Sequence, residues 1–416
     1  MADLTVHRFN YKMPQSLADF DLKDYVKSVL KWIDALVGAN EKVALSASGG
    51  VDSTTVAFLL KEALGNRLHL FFIDDGLRRI IGGREEWETT AEIFKDFPNF
   101  EVLHTRDLVL PWFDGVEDGA LKRDMFRSLY TLTSNKYIAS LKADWIADGT
   151  ICPDIVMTDQ NRQIQHNVNL PYNMKKLEAF SSLYKPHVRR VAMHLGMPRE
   201  FAMRIPCPGP AQLLRVGGAF NTDKLQTCKI ATDVVEQMVC AYFKEKWGEP
   251  FRYDEATGVR IPFQYFAACL DPEMERDTEL SEHIKGLAGK EAGCFRMKTR
   301  AMWIDPAVSS QKGKLYAPIL WVIGKKLDHE NFVKLYDTLS KISGLPRALY
   351  QVYDSGEKGY PVSIKVVESE DVRTAWHMDM DFDYLVKMGR EVCEKSGASK
   401  AAFDISKRPP ATIELF

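Results

Sequence analysis

Three absences narrow what this chain can be. Its seven cysteines, at positions 152, 207, 228, 240, 269, 294 and 393, include no Cys-x-x-Cys pair. That argues against a zinc cage or an evenly paired disulfide framework, and fits a reducing, cytoplasmic setting. There is no run of basic residues, and Lys+Arg 55 against Asp+Glu 57 leaves a net charge of -2. No overall field gathers polyanions, so nucleic acid is not an expected partner. No stretch approaches the roughly 18 to 20 apolar residues of a membrane helix, and the opening MADLTVHRFNYKM has no apolar leader core, so no membrane association is expected.

At 416 residues the chain exceeds the roughly 250 to 300 at which a single core stops growing, and two domains are expected. Asp21 to Val37 carries Leu22, Tyr25, Val26, Val29, Leu30, Ile33 and Leu36 on one stripe, the pattern of an amphipathic helix. Lys42 to Ser46 reads as a short buried strand, Ser48 to Ser53 as a glycine loop, and Thr54 to Leu64 as a helix closed by Gly65. Further strands are expected over Leu68–Ile73, Phe100–His104 and Trp145–Ala147. This alternation predicts an α/β fold with a doubly wound parallel sheet whose ligands lie beyond the carboxyl ends of the strands. After about Pro210 it weakens, with a long helix over Phe220–Tyr242 and strands near Ile364–Val367 and Ala401–Ile405. The boundary is placed near Gly217, giving domains 1–217 and 218–416.

The strongest motif is Ser48-Gly49-Gly50-Val51-Asp52-Ser53-Thr54, set between a strand and a helix. There backbone amides and a helix N-terminus can hold an anion, and the hydroxyls of Ser48, Ser53 and Thr54 add donors. No Gly-Lys-Ser/Thr closes it, so it is not a Walker A loop. Phe72-Ile73-Asp74-Asp75-Gly76-Leu77 puts two carboxylates at the end of the next strand, a position suited to a nucleoside.

The glycine loop resembles the PP-loop of N-type ATP pyrophosphatases, and four further segments resemble GMP synthetase in order. They are Asp148-Gly149-Thr150-Ile151-Cys152-Pro153-Asp154, Gln165-His166-Asn167-Val168, Arg204-Ile205-Pro206-Cys207-Pro208-Gly209-Pro210, and the tail from Asp404 to Glu414. The match runs over about 42–270 and 356–416, with the segment near 271–355 read as an insertion; a glutaminase domain is absent. The resemblance implies an adenine nucleotide alpha hydrolase-like fold and a C-terminal α+β dimerisation-type domain, hence a homodimer. It implies that Ser46, Ser48, Gly49, Gly50, Val51, Asp52, Ser53 and Thr54, with Asp74 and Gly149, hold ATP, and that Asp52 places Mg²⁺. It assigns the purine nucleotide, GMP or XMP, to Asp154, His166, Arg204, Pro208, Gly209, Arg408, Ile413 and Glu414. A guanidinium such as Arg408 or Arg204 suits phosphate because its planar fork donates two hydrogen bonds.

This sequence also departs from the family pattern. Cys152 stands where the family has a tyrosine, Cys207 where it has a phenylalanine, and Gln165 where the family's mobile lid, matched here by Gln165-His166-Asn167-Val168, has its first histidine. An adenylated lactam carbon takes whichever nucleophile is present, and a cysteine activated by a nearby cation can carry sulfur. With Asp52, Cys152 and Cys207 as the catalytic candidates, the expectation is ATP-dependent thiolation of GMP to 6-thioguanine nucleotide, with release of AMP and pyrophosphate and with sulfur from a donor protein or free sulfide. The alternative is a GMP synthetase component that aminates XMP with ammonia.

Overall fold

A computed structural model of the chain describes residues 5–159, 174–207, 209–304, 314–370 and 374–415. The N-terminal half is built on a six-stranded sheet in the order Val6–Arg8, Lys175–Glu178, Trp145–Ala147, Val43–Ser46, Leu68–Asp74, Phe100–His104, with every pairing parallel. Central parallel strands are covered on both faces and read as continuous apolar runs. Leu68, Leu70, Phe71, Phe72 and Ile73 are accordingly all buried.

Val43–Ser46 pairs with Leu68–Asp74 on one side and Trp145–Ala147 on the other. The chain runs outward in both directions from it, so its carboxyl end is the topological switch point, where such sheets take ligands. The helix Val51–Leu64 starts directly there, with Gly50 as its N-cap. This corrects the expected helix start at Thr54: three motif residues, Val51, Asp52 and Ser53, belong to the first turn of the helix. The amphipathic helix runs over Leu22–Leu36, capped by the Asp21 side chain, and buries Tyr25, Val26, Val29 and Ile33. The edge strand Val6–Arg8 and its neighbour Lys175–Glu178 lack a sequence signal, since Lys176 and Glu178 are charged. These two residues are buried as an ion pair at 2.7 Å.

The second half forms an eight-stranded mixed sheet in the order Gln264–Cys269, Pro361–Glu368, Lys400–Asp404, Ala348–Asp354, Lys314–Ile323, Gly293–Ile304, Met274–Asp277, with Trp376–His377 added beside Pro361–Glu368. Residues 271–355 supply four of these strands. The helices Thr222–Trp247, Thr278–Ala288, His329–Ser343 and Phe382–Ser396 contribute to the large apolar cluster on one face. A smaller cluster around Trp321, Ile319 and Leu349 includes Leu415 of the tail. The long helix begins at Thr222 and extends to Trp247, past the expected end at Tyr242.

Candidate active site

The glycine loop is ordered by its own hydroxyls. The Ser48 amide donates to Ser53 Oγ at 3.1 Å, the two seryl oxygens are 3.0 Å apart, and the Gly50 amide reaches Ser48 Oγ at 3.4 Å. Gly49 has φ +77°, and a Cβ there would lie 3.1 Å from Thr90 Oγ1 and 3.2 Å from Glu86 Oε1, so conformation and space both require glycine. Gly149 arrives from the neighbouring strand so closely that a Cβ would sit 2.8 Å from the Ser53 nitrogen. The two motifs, about 100 residues apart in sequence, are thereby in backbone contact. Ser46, at the strand end, accepts a hydrogen bond from the Tyr130 hydroxyl at 2.7 Å, while Thr54 is fully buried with an unpartnered Oγ1.

Lys185, at the start of the Lys185–His194 helix, donates from Nζ to Asp52 Oδ2 at 2.6 Å. Asp52 Oδ1 is buried without a partner. Arg189, four residues further on, is buried and electrostatically coupled to Asp52. Burial first, then the like charge of Arg260, lowers its guanidinium to about 10. Residues four apart share a helix face, and that spacing in Lys185-Pro186-His187-Val188-Arg189 was the available sequence signal. Nothing in that segment itself ties it to the glycine motif, which lies more than a hundred residues earlier.

At the end of the next strand, Asp74 is buried, pairs with His104 Nδ1 at 3.0 Å and lies 3.5 Å from Arg106. These three, with Thr105, Asp107 and Leu108, line a cavity of about 500 Å³. Asp75 turns inward instead, accepting from the Leu77 amide and pairing with Arg78.

Around Arg204 and Cys207 the charges are dense. Arg204 stacks on Phe201 with its guanidinium carbon 3.9 Å from the ring centroid, and its Nη1 is buried without a partner. Burial, then Arg79, lowers it to about 10. Cys207 feels both Arg79 and Arg215, yet burial outweighs them and pushes the thiol up. Arg215 holds Glu414 in a two-armed pair at 3.0 and 2.9 Å. Arg204, Cys207 and the tail residue Glu414 are thus brought to one charged region. The tail is fixed further back as well: Asp404 Oδ2 accepts from Arg347 and Lys365, each at 2.7 Å, and Arg347 also donates to the Thr412 and Glu414 carbonyls.

Other predicted residues have local roles. Ile413 is buried against Phe266, Val367 and Ala375. Asp154 accepts from the Ile151 amide at 3.1 Å. The Arg408 backbone pairs with Ala375, and Gly209 leads into the Ala211–Leu214 turn of helix. Cys152 opens the Cys152–Asp159 helix, its amide donating to Leu183 O at 2.9 Å and its thiol meeting Tyr184, whose hydroxyl it raises. Cys152 and Cys207 therefore have different neighbours. His166 and Pro208 lie outside the described residues.

A parallel sheet with a glycine loop and an aspartate-bearing helix at its switch point, but no Walker lysine, defines an ATP pyrophosphatase of the PP-loop class. Comparison with known proteins places the chain more closely. A family model described as GMP synthase C terminal domain matches residues 348–415. A glutamine-hydrolyzing GMP synthase subunit of Saccharolobus solfataricus is 28% identical over 410 residues, covering 95% of this chain and 100% of that protein. The corresponding subunit from Methanococcus vannielii is 30% identical over 257 residues, covering 61% and 76%. The NH3-dependent NAD synthetase of Campylobacter jejuni aligns over 44% of this chain and 77% of that one at 18% identity, with a TM-score of 0.36. The chain belongs to the family of these GMP synthase subunits.

Proposed function

We propose that this chain is the synthetase component of a two-component GMP synthase, adenylating XMP with ATP and passing the activated purine to ammonia. The XMP lactam oxygen attacks the α-phosphorus and pyrophosphate leaves. Ammonia then adds at the purine carbon, AMP departs with that oxygen, and loss of a proton leaves the amino group of GMP. The observation that carries this reading is the match along 95% of the chain to proteins named as GMP synthase subunits. It favours the amination alternative over the thiolation expected from Cys152 and Cys207. The chemistry of Cys207 agrees, because a sulfur carrier needs a thiolate and burial raises this thiol.

In this reading residues 1–217 bind and cleave ATP, while residues 218–416 hold the purine nucleotide and pair two copies of the chain. The amides of Ser48 to Gly50 and the helix N-terminus, with Lys185, grip the departing pyrophosphate, since preformed donors and cations stabilise charge that develops in the transition state. Arg204 and the Glu414–Arg215 pair frame the purine nucleotide, together with Arg408. Asp52 suits Mg²⁺: its Oδ1 is buried and unpartnered, and this ion is commonly held by one or two carboxylates plus substrate phosphates. Bound there, Mg²⁺ would neutralise charge on the polyphosphate. The nitrogen comes from a separate glutaminase component or from free ammonium.

A product assay by mass spectrometry tests the proposal. Purified protein with ATP, Mg²⁺, XMP and ammonium should give GMP, AMP and pyrophosphate in equal amounts. Conversion of GMP and sulfide to a product carrying sulfur for oxygen, with no GMP from XMP, would overturn it.

A further inference from the structure

We propose that Arg79 is a positioning residue that keeps the ATP-gripping loop in register with the purine-side elements. The inference rests on the adenylating function just proposed. Arg79 is nearly enclosed, with 4% of its side chain exposed, and it reaches two carboxylates on different parts of the fold. Its Nη2 donates to Glu86 Oε1 at 2.8 Å, its backbone amide donates to Glu86 Oε2 at 3.2 Å, and its Nη1 reaches Glu236 Oε1 at 3.4 Å.

These carboxylates belong to two different helices. Glu86 is the first residue of the Glu86–Ile93 helix, and its Oε1 is, with Thr90 Oγ1 of the same helix, one of the atoms that a Cβ on Gly49 would approach, to 3.2 Å. The phosphate loop therefore rests on the carboxylate that Arg79 fixes. Glu236 sits on the Thr222–Trp247 helix, which packs against the second sheet through Thr232 and Ala267. The same helix grips the 79–86 segment, in which Ile80–Ile81 and Arg84–Glu85 pair as a short antiparallel hairpin, at two further points. Lys229 pairs with Glu85 at 2.8 Å, and Asp233 accepts from the Gly82 and Gly83 amides at 2.7 and 2.9 Å. Residues 229, 233 and 236 follow helical i, i+4, i+7 spacing and so share one face. Arg204 and Cys207 of the purine-side loop lie in the same electrostatic neighbourhood as Arg79.

Adenyl transfer needs the purine oxygen in line with the α-phosphorus. A misplacement of about 1 Å at a reacting centre can cost on the order of 100-fold in rate. Arg79 links the support of one substrate's loop to the helix carrying the other substrate's domain, so its removal should spoil alignment more than either binding site. A buried salt bridge acting only in stability would instead lower the melting temperature and leave folded enzyme at full rate.

The test measures XMP-dependent AMP formation at saturating ATP, Mg²⁺ and ammonium, together with ATP affinity, the KM for XMP and the melting temperature. The wild type, Arg79→Met, Arg79→Lys and Glu236→Gln are compared. Arg79→Met should retain ATP affinity and KM for XMP within about threefold while kcat falls about 100-fold, the scale set by misalignment, and Arg79→Lys should recover part of that loss. Glu236→Gln keeps the Arg79–Glu86 pair and removes the carboxylate charge by which Arg79 itself is tied to the long helix. It should fold normally and lose about tenfold in kcat, roughly 1.4 kcal/mol of barrier. Full kcat in folded Glu236→Gln, or loss of both binding constants in step with the rate, overturns the inference. An inactive wild type with XMP and ammonium overturns the proposed function, and the inference with it.

Discussion

Lys185 Nζ donates to Asp52 Oδ2 across 2.6 Å, so the Lys185–His194 helix is tied to the first turn of the Val51–Leu64 helix that follows the glycine loop. One carboxylate oxygen is thereby occupied and the other is buried without a partner. With the ammonium removed, the pyrophosphate grip loses a preorganised positive charge. Lys185→Met should lower kcat/KM for ATP by about 10² to 10³, the usual cost of one such group, with less effect on the KM for XMP. Steady-state kinetics with each substrate varied in turn checks this.

Gly149 offers a purely steric test. The atom a Cβ would strike at 2.8 Å is the backbone nitrogen of Ser53, which cannot rotate away as a side chain could. Overpacking of this kind costs about 1 to 3 kcal/mol. If the displacement falls on the glycine loop, Gly149→Ala should bind ATP about 10 to 100 times more weakly while folding normally. Calorimetric titration with ATP and a circular dichroism melt separate the two effects.

How much of this was legible beforehand depended on whether a residue's role is local. The strands Phe100–His104 and Trp145–Ala147 were read at the observed bounds, because apolar runs closed by polar residues are local signals. The glycine loop and Asp52 were equally plain. Lys185, Arg79, Glu86, Arg215 and Arg347 were not, since each owes its place to a partner distant in the fold or the chain: Lys185 to Asp52, Arg215 to Glu414, Arg347 to Asp404. The strand Lys175–Glu178 was hidden because two of its buried residues are charged and neutralise each other. The two cysteines are legible as departures from the motif pattern, but the enclosure that pushes the Cys207 thiol up against the pull of Arg79 and Arg215 is not, because those neighbours come from other parts of the chain.

Cys207 gives a reactivity prediction. Burial raises its thiol above the ordinary value despite the cations of Arg79 and Arg215, so at pH 7 to 8 it is protonated and a poor nucleophile. Iodoacetamide should label it more slowly than a free thiol, with labelling increasing only as the pH climbs above about 8.5, the ordinary thiol value. Cys207→Ser should retain GMP formation from XMP within about tenfold, since a hydroxyl in place of this half-buried thiol costs about 1 kcal/mol. Peptide mass mapping of the labelled protein and the product assay are the checks.

The tail clamp makes stability depend on pH in a defined direction. Burial alone would raise the Asp404 carboxyl, but Lys365 and Arg347 more than offset it and hold it well below the usual carboxylate range. A group depressed in the folded state contributes its full stabilisation above its unfolded value of about 3.9, and loses it as the pH falls through that value toward the folded one. Asp404→Asn leaves two buried cations without their counter-charge, a change that typically costs about 3 to 5 kcal/mol. Urea unfolding at pH 7 should therefore show the variant far less stable than the wild type, and the gap should narrow as the pH drops below about 4. Lys365 tests the opposite limb: burial lowers its ammonium to about 8, against about 10.4 in an unfolded chain. The unfolded state binds the extra proton between those values, so this lysine makes stability rise with pH across that window. Lys365→Met should flatten that rise, and an unchanged alkaline slope would mean that the buried ammonium is not the group responsible.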